Sequence, residues 1–320
     1  MAGSGRRPVG ASTNGESSRV PPMNRFEREV AAIIELHRTA WASSARVLLT
    51  TVFGDSLRPR RQAISVQDLA GLVEPMGVNE RLVRTSLQRM AAEGLVVAER
   101  VGRRAFYSVS PDAEDTFDSA DQRFYARRTI EWDGRWTLVV VDPRGADSDT
   151  RTRLSRELGW LGMRSIVAGV LASPTIDPLA VEELARRVNA PLAALVRAPL
   201  ESGTLALPRT MPSLAEPEAG LHEMYGRHIA EFTPVADAAG SGHLPVEAAF
   251  VARTLLIDGW RRIALRSTDL PAELLPEGWQ ADEAYRLTAG LYRAVRSASE
   301  AHLDAVLGPS ASTAVTRFAD

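Results

Sequence analysis

Residues 65–110 read SVQDLAGLVEPMGVNERLVRTSLQRMAAEGLVVAERVGRRAFYSVS, and the placement of apolar and basic side chains within them decides the fold. Ser65 with Asp68 three residues on is a capping-box pattern, and Val66, Leu69, Leu72 and Val73 supply the buried stripe of the helix it opens. Pro75-Met76-Gly77 breaks that helix. Asn79 is a good N-cap for a second helix running to about Glu93, where Gly94 stops it. Leu82, Val83, Leu87, Met90 and Ala91 share its inward face, which leaves Arg81, Arg84, Thr85, Gln88 and Arg89 pointing outward. Residues 95–100 and 105–109 then predict two strands around Val101-Gly102-Arg103-Arg104, a hairpin turn with arginines at its tip.

Helix, turn, helix and hairpin in that order form a winged helix-turn-helix. A helix pair alone favours a three-helix core with a solvated arginine face. The hairpin, its two arginines and the polar Thr85 and Gln88 shift the balance to double-stranded DNA. A helix N-terminus enters the major groove, where arginine reads guanine and glutamine reads adenine, while wing arginines such as Arg103 and Arg104 hold phosphates.

Charge agrees with that placement. Residues 40–110 hold ten arginines against six carboxylates, a net of +4 in a chain that is −2 overall. A near-neutral chain is no nucleic-acid coat protein, so any DNA site is local. Every basic residue is an arginine, and there is no cysteine, which excludes disulfides, thiolate metal sites and thiol nucleophiles. The five histidines are scattered without metal-ligand spacing, and His228 falls on an apolar stripe, where a core role is expected. No cofactor or metal is predicted. No apolar run approaches the roughly 20 residues of a membrane span. The N-terminus lacks an apolar secretory segment, so a cytoplasmic protein is expected.

Working outward, residues 1–24 are rich in Gly, Ser, Pro and Arg and predict a disordered tail. Phe26, Val30, Ile33, Ile34, His37, Trp41, Leu48 and Val52 then lie on one face of one long or two successive helices. Gly54-Asp55 is read as their end, and Arg58, Pro59, Arg60 and Arg61 as a basic loop. The DNA-binding domain thus spans 25–110. Residues 111–131 predict an amphipathic connector helix anchored by Phe117, Phe124 and Tyr125. Over 132–205 the order βαββαβ is that of a ferredoxin-like unit, whose sheet has one face free to pair with a second copy. Residues 206–320 predict a mainly helical domain after a Pro-rich bridge. The fold class is α+β in three parts.

The stretch GVNERLVRTSLQRMAAEGLVVAERVGRRAFYSVS resembles the DNA-binding core of the PaaX family of bacterial regulators, and SARVLLTTVFGD before it resembles the family's opening helix. The likeness continues through WDGRWTLVVVD at 132–142, LGWLGMRSIVAGVLASP at 158–174 and RTLLIDGWRRIALRSTDLPAELLPEGW at 253–279. It covers nearly everything after residue 40, in order. The resemblance implies a repressor of a phenylacetate-type catabolic operon that dimerises through the ferredoxin-like domain, binds a palindromic operator and is released by an aryl-acyl-CoA such as phenylacetyl-CoA.

The family's final-domain signature often has a His shortly before an aromatic and one or two basic residues. Asp258, Trp260, Arg261 and Arg262 match those positions here, so an Asp removes a titratable donor and adds a negative charge. Arg261, Arg262 and Arg266 are candidates for the phosphates of a CoA ester. The alternative is that they pair with Asp258, Asp269 and Glu273 at a domain junction. A competing function is a metal-dependent nuclease using Asp142 at the end of the first central strand, since small CRISPR-associated nucleases of similar fold place a metal-binding Asp there.

Overall fold

The computed structural model describes residues 22–126, 131–142, 144–199, 220–266, 270–275, 277–310 and 317–318. Residues 1–21 of the expected tail and most of the Pro-rich bridge lie outside those residues, while 22–24 are described. Helix α1 (Arg25–Thr51) starts at Asn24, whose side chain accepts from the Glu27 amide at 2.9 Å. The Glu27 carboxylate accepts from the Asn24 amide at 2.7 Å, completing a capping box. A single non-helical residue, Ser44, kinks α1.

The chain does not stop at Gly54-Asp55. It winds on through a fully buried π-helical turn, Val52–Leu57, and the short α2 (Arg58–Arg60), and ends at Arg61 with φ +51. Gly54 is needed for packing rather than for termination, because a Cβ there would lie 2.9 Å from the Phe117 ring. π-Turns of this kind occur mostly as local insertions at functional places.

Strand β1 (Ile64–Ser65), absent from the sequence reading, precedes α3 (Val66–Val73). The Ser65 side chain accepts from the Asp68 amide at 3.1 Å. A 3₁₀ turn over Glu74–Met76 ends at Gly77, φ +79, a conformation that glycine adopts without strain. Helix α4 (Glu80–Ala92) is capped by Asn79, and β2 (Val96–Val101) and β3 (Arg104–Val109) follow it. The three strands form an antiparallel sheet in the order β1-β3-β2. Val101 pairs with Arg104, which leaves Gly102 and Arg103 as a two-residue loop.

The buried face of α4 is Val83, Ser86, Leu87 and Met90, with Leu82 half-buried. Ala91, expected inside, is exposed, and Ser86 takes a buried place because position on the stripe outweighs its polarity. Helix α5 (Glu114–Tyr125) buries Phe117, Phe124 and Tyr125, the anchors its sequence marks, against the interior.

The middle of the chain runs β4 (Arg135–Val141), α6 (Ser148–Trp160), β5 (Arg164–Val167), β6 (Val170–Ser173), α7 (Pro178–Val188) and β7 (Leu192–Pro199). Its strands are antiparallel in the order β5-β6-β4-β7. Val139 and Val141 turn to one face and pack with Leu154 and Leu158 of α6 and Val181 and Leu184 of α7. On the other face Trp136 and Ala172 meet Leu274 from the last third of the chain, while Leu138 is half-buried and Val196 exposed.

Helices α8 (Leu221–Ala239), α9 (Val246–Ala264) and α10 (Ala281–Leu307) complete the structure. Helix α9 is apolar nearly all round because α1, α8 and α10 surround it. Among the described residues no helix is long and apolar enough to cross a membrane. One continuous core joins Leu48, Val52, Val83 and Leu87 of the first third with Phe250, Leu256, Tyr292 and Leu303 of the last.

Candidate nucleic-acid interface

Helix α4 is held by its apolar side, and this orientation fixes what it shows to solvent. Arg81, Arg84, Thr85, Gln88 and Arg89 are all exposed on its outer face, as the spacing predicts. Arg84 pairs with Glu80 one turn earlier, its Nε 3.0 Å from the carboxylate. Thr85 Oγ1 donates to the Arg81 carbonyl at 3.0 Å. Arg103 lies in the hairpin loop and Arg104 opens β3, both exposed. Among the described residues, Arg81, Arg89, Arg103 and Arg104 form no ion pair, so their donors face solvent.

The arginines expected in a basic loop behave differently. Arg58 pairs with Glu114 at 2.6 Å, Asp121 at 3.0 Å, and Asp118. Arg60 is buried and pairs with Glu300 at 2.7 Å and Asp304 at 2.6 Å. Acids distant in sequence neutralise both, so the positive charge counted over 40–110 concentrates further on α4 and the hairpin.

Beneath this surface lies a buried polar knot around Asp55. Its carboxylate accepts from Arg253 Nε at 2.7 Å, Arg317 Nη1 at 2.6 Å, the Tyr125 hydroxyl at 2.7 Å and the Tyr292 hydroxyl at 3.0 Å. Burial alone would raise the Asp55 carboxyl, but Arg253 and Arg317 overcome it and hold the group below its ordinary value. Burial next to Asp55 pushes the Tyr292 hydroxyl up to about 12. Arg253 also meets Glu300 at 2.5 Å, and Arg317 meets Asp121 at 2.9 Å. The knot therefore ties the end of α1, α5, α9, α10 and the last residues of the chain to one point. Sequence reasoning missed it. The available signal was Arg253, a charge in the middle of an apolar helix that needs a buried acid, but nothing in the sequence says which.

The three candidate effector residues do not converge. Arg261 turns inward, its Nη1 donating to Thr51 Oγ1 at 2.9 Å, with its guanidinium 5.5 Å from the Phe124 ring centre. Burial lowers its pKa, with Asp258 opposing. Arg262 is exposed and pairs with Asp258 at 2.8 Å, as the junction alternative expected for that pair. Arg266 is exposed, with Nη1 3.4 Å from Met224 Sδ. Asp269 lies outside the described residues. Helical spacing sets Arg261 apart, because Arg262 points about 100° away from it round the helix, and Arg266 lies beyond the helix end at Ala264.

His228 is buried and its Nε2 lies 2.9 Å from Thr288 Oγ1, a core histidine as expected. Burial lowers its pKa to about 4, against an opposing pull from Glu231. Asp142 accepts from the Arg144 amide at 2.8 Å and so caps its own turn. Among the described residues no three His, Cys, Asp or Glu side chains gather into a metal-sized group.

Comparison with known proteins finds three successive family matches along the chain. Residues 44–113 match the family model described as PaaX-like protein. Residues 129–204 match the PaaX protein central Cas2-like domain, and 218–305 the PaaX-like protein C-terminal domain. The chain is 31% identical over 264 residues to the transcriptional repressor PaaX of Escherichia coli (strain K12), covering 80% of this chain and 82% of that protein. Among solved structures, an uncharacterized protein from Mycobacterium tuberculosis shares the fold with a TM-score of 0.52 at 22% identity, over 82% of this chain and 98% of that one.

Proposed function

The chain belongs to the PaaX-like family, and from that premise we propose that it is a DNA-binding transcriptional repressor. The observation that carries this reading is the exposed face of α4, whose arginines and Gln88 stand beside the arginine-bearing hairpin. Residues 64–109 are read as a winged helix-turn-helix, with α4 in the major groove and the β2–β3 hairpin as the wing. Arg81, Arg84, Thr85, Gln88 and Arg89 then face bases and nearby phosphates, and Arg103 and Arg104 grip the backbone.

The strand order of the middle region supports a ferredoxin-like reading. Its half-covered outer face, with Leu138 half-buried and Val196 exposed, supports pairing with a second copy. A two-fold dimer presents two α4 helices to a palindromic operator. Following the resemblance, the regulated genes are those of an aromatic-acid, phenylacetate-type pathway in the cytoplasm, and the effector is an aryl-acyl-CoA such as phenylacetyl-CoA. Arg262 and Arg266, both exposed, are the proposed contacts for its phosphates.

The test is to let the full chain select duplexes from a random library and then titrate the best one. The triple variant Arg81→Ala/Arg84→Ala/Arg89→Ala is expected to lose selection while keeping its melting temperature. Unchanged selection by that folded variant overturns the assignment of α4. Incubating the same duplex with Mg²⁺ or Mn²⁺ tests the nuclease alternative, and cleavage that disappears in Asp142→Asn would establish it.

A further inference from the structure

A cleft of about 240 Å³ opens between α1, α5 and α9, lined mainly by Val47, Leu95, Phe117, Ala120, Phe124 and Ile257. An apolar cavity of about 150 Å³ accepts a benzene ring, so this one has room for a ring and a short arm. Its charges are not balanced. Asp55 and Asp121 also line it, but Arg253, Arg317 and Arg58 already take their charge. Arg261 lines it too, and its buried Nε has no hydrogen-bond partner among the described residues. Arg261 forms no ion pair with any described residue, because the nearby Asp258 pairs with Arg262 instead. Buried charges are ordinarily paired, since an unpaired one forfeits its hydration without return. Arg317 Nε is also unpartnered, but that guanidinium is already paired with Asp55 and Asp121, so it signals no ligand.

We propose that this cleft binds the aromatic acyl group of the effector, with an acyl oxygen accepting from Arg261. The inference rests on the effector reading above and supplies what that reading lacks, a place for the acyl group and a route to the DNA surface. The route is short. Arg46, at the same cleft, holds Glu93 at 2.8 Å, and Glu93 is the C-cap of α4. Leu95 forms part of the wall, its amide donating to Met90 of α4 at 2.9 Å and its carbonyl accepting from the Ser110 amide at 3.0 Å, just after the wing. An occupant therefore presses on the end of α4, and anionic groups outside the cleft compete with Glu93 for Arg46.

The chain has no cysteine, so one introduced thiol reports alone. Thr116 is exposed and lines the cleft, whereas Ser119 is exposed on the same helix and does not. Maleimide labelling of Thr116→Cys and Ser119→Cys is followed with phenylacetyl-CoA, phenylacetate or S-methyl-CoA present, the last because the free thiol of CoA itself consumes maleimide, beside equilibrium dialysis of each compound with wild type and Arg261→Gln. Phenylacetyl-CoA is expected to slow labelling at 116 but not at 119. Its affinity should fall at least about tenfold in Arg261→Gln, the loss typical of a charge-assisted hydrogen bond. Binding without protection at 116 overturns the cleft and leaves the effector reading standing. Protection with no loss in Arg261→Gln overturns the assigned contact. Protection by phenylacetate when the thioester does not bind supports the cleft and removes the CoA ester as effector. If none of the three binds, both readings fall.

Discussion

The arginines of α4 and those around Asp55 carry the same group and put it to opposite uses. On α4, Arg81 and Arg89 stand in solvent without ion pairs among the described residues, and Arg84 has only an exposed partner one turn away. Exposed pairs of that kind contribute about 0–1 kcal/mol. They cost little to break, so in the proposed interface the guanidinium exchanges Glu80 for a base edge or a phosphate. Around Asp55, Arg253 and Arg317 are buried with several partners each, and there the charge is structural. Arginine content alone therefore says little about DNA binding. What distinguishes the two regions is whether the cation's partners are already supplied by the fold.

That comparison is most severely tested at its buried end. Asp55→Asn removes the counter-charge that Arg253 and Arg317 share and is expected to cost about 3–5 kcal/mol, read as a lowered denaturation midpoint. A loss under about 1 kcal/mol would place the knot with the surface pairs. The knot's pH dependence has a definite sign. Because the folded Asp55 carboxyl is held below its ordinary value, its contribution is complete above that value and disappears only in stronger acid.

His228 responds earlier. With its pKa lowered from 6.5 to about 4, the folded protein binds the proton less readily than the unfolded chain. Stability is therefore complete above pH 6.5 and falls as pH drops toward 4, by about 3 kcal/mol at most. Denaturation midpoints at pH 7.5 and 4.5 should differ by that order in wild type and far less in His228→Gln. Equal differences in both would place the acid sensitivity elsewhere.

At the surface the expected effects are smaller and fall on DNA binding. Arg84→Ala should leave the melting temperature near that of wild type, weaken binding to the selected duplex by about 1–3 kcal/mol and relax one base preference. A uniform loss across sequences would make it a phosphate contact instead. Arg103→Ala should weaken all duplexes alike and reduce the salt slope by about one, read from titrations at several salt concentrations. A change in base preference with an unaltered slope would move the wing from backbone to bases.

Local signals made most of the secondary structure and the outer face of α4 legible. Asn79 and Ser65 announce helix starts, Gly94 a stop, and the spacing of Val83, Leu87 and Met90 fixes which arginines are left outside. Where local rules misled, long-range packing was the reason. Gly54-Asp55 looks like a helix end, but Gly54 admits the Phe117 ring and Asp55 gathers partners from residues 125, 253, 292 and 317. Arg58 and Arg60 look like a basic loop until Asp118 and Asp304 arrive beside them. Arg261, Arg262 and Arg266 look like one cluster, yet only Arg261 turns to the interior.

The sequence by itself determined the helices, the hairpin, the order of the central strands and the basic face of α4. Each depends on residues within a few turns of one another, where spacing and capping dominate. Only the tertiary structure decided that the first and last thirds share one core, that Asp55 is its polar centre, and that Arg261 lines a cleft next to the end of α4. Those features depend on which distant charge meets which, and a buried charge accepts any geometrically suitable partner. Nothing in a linear pattern records that choice.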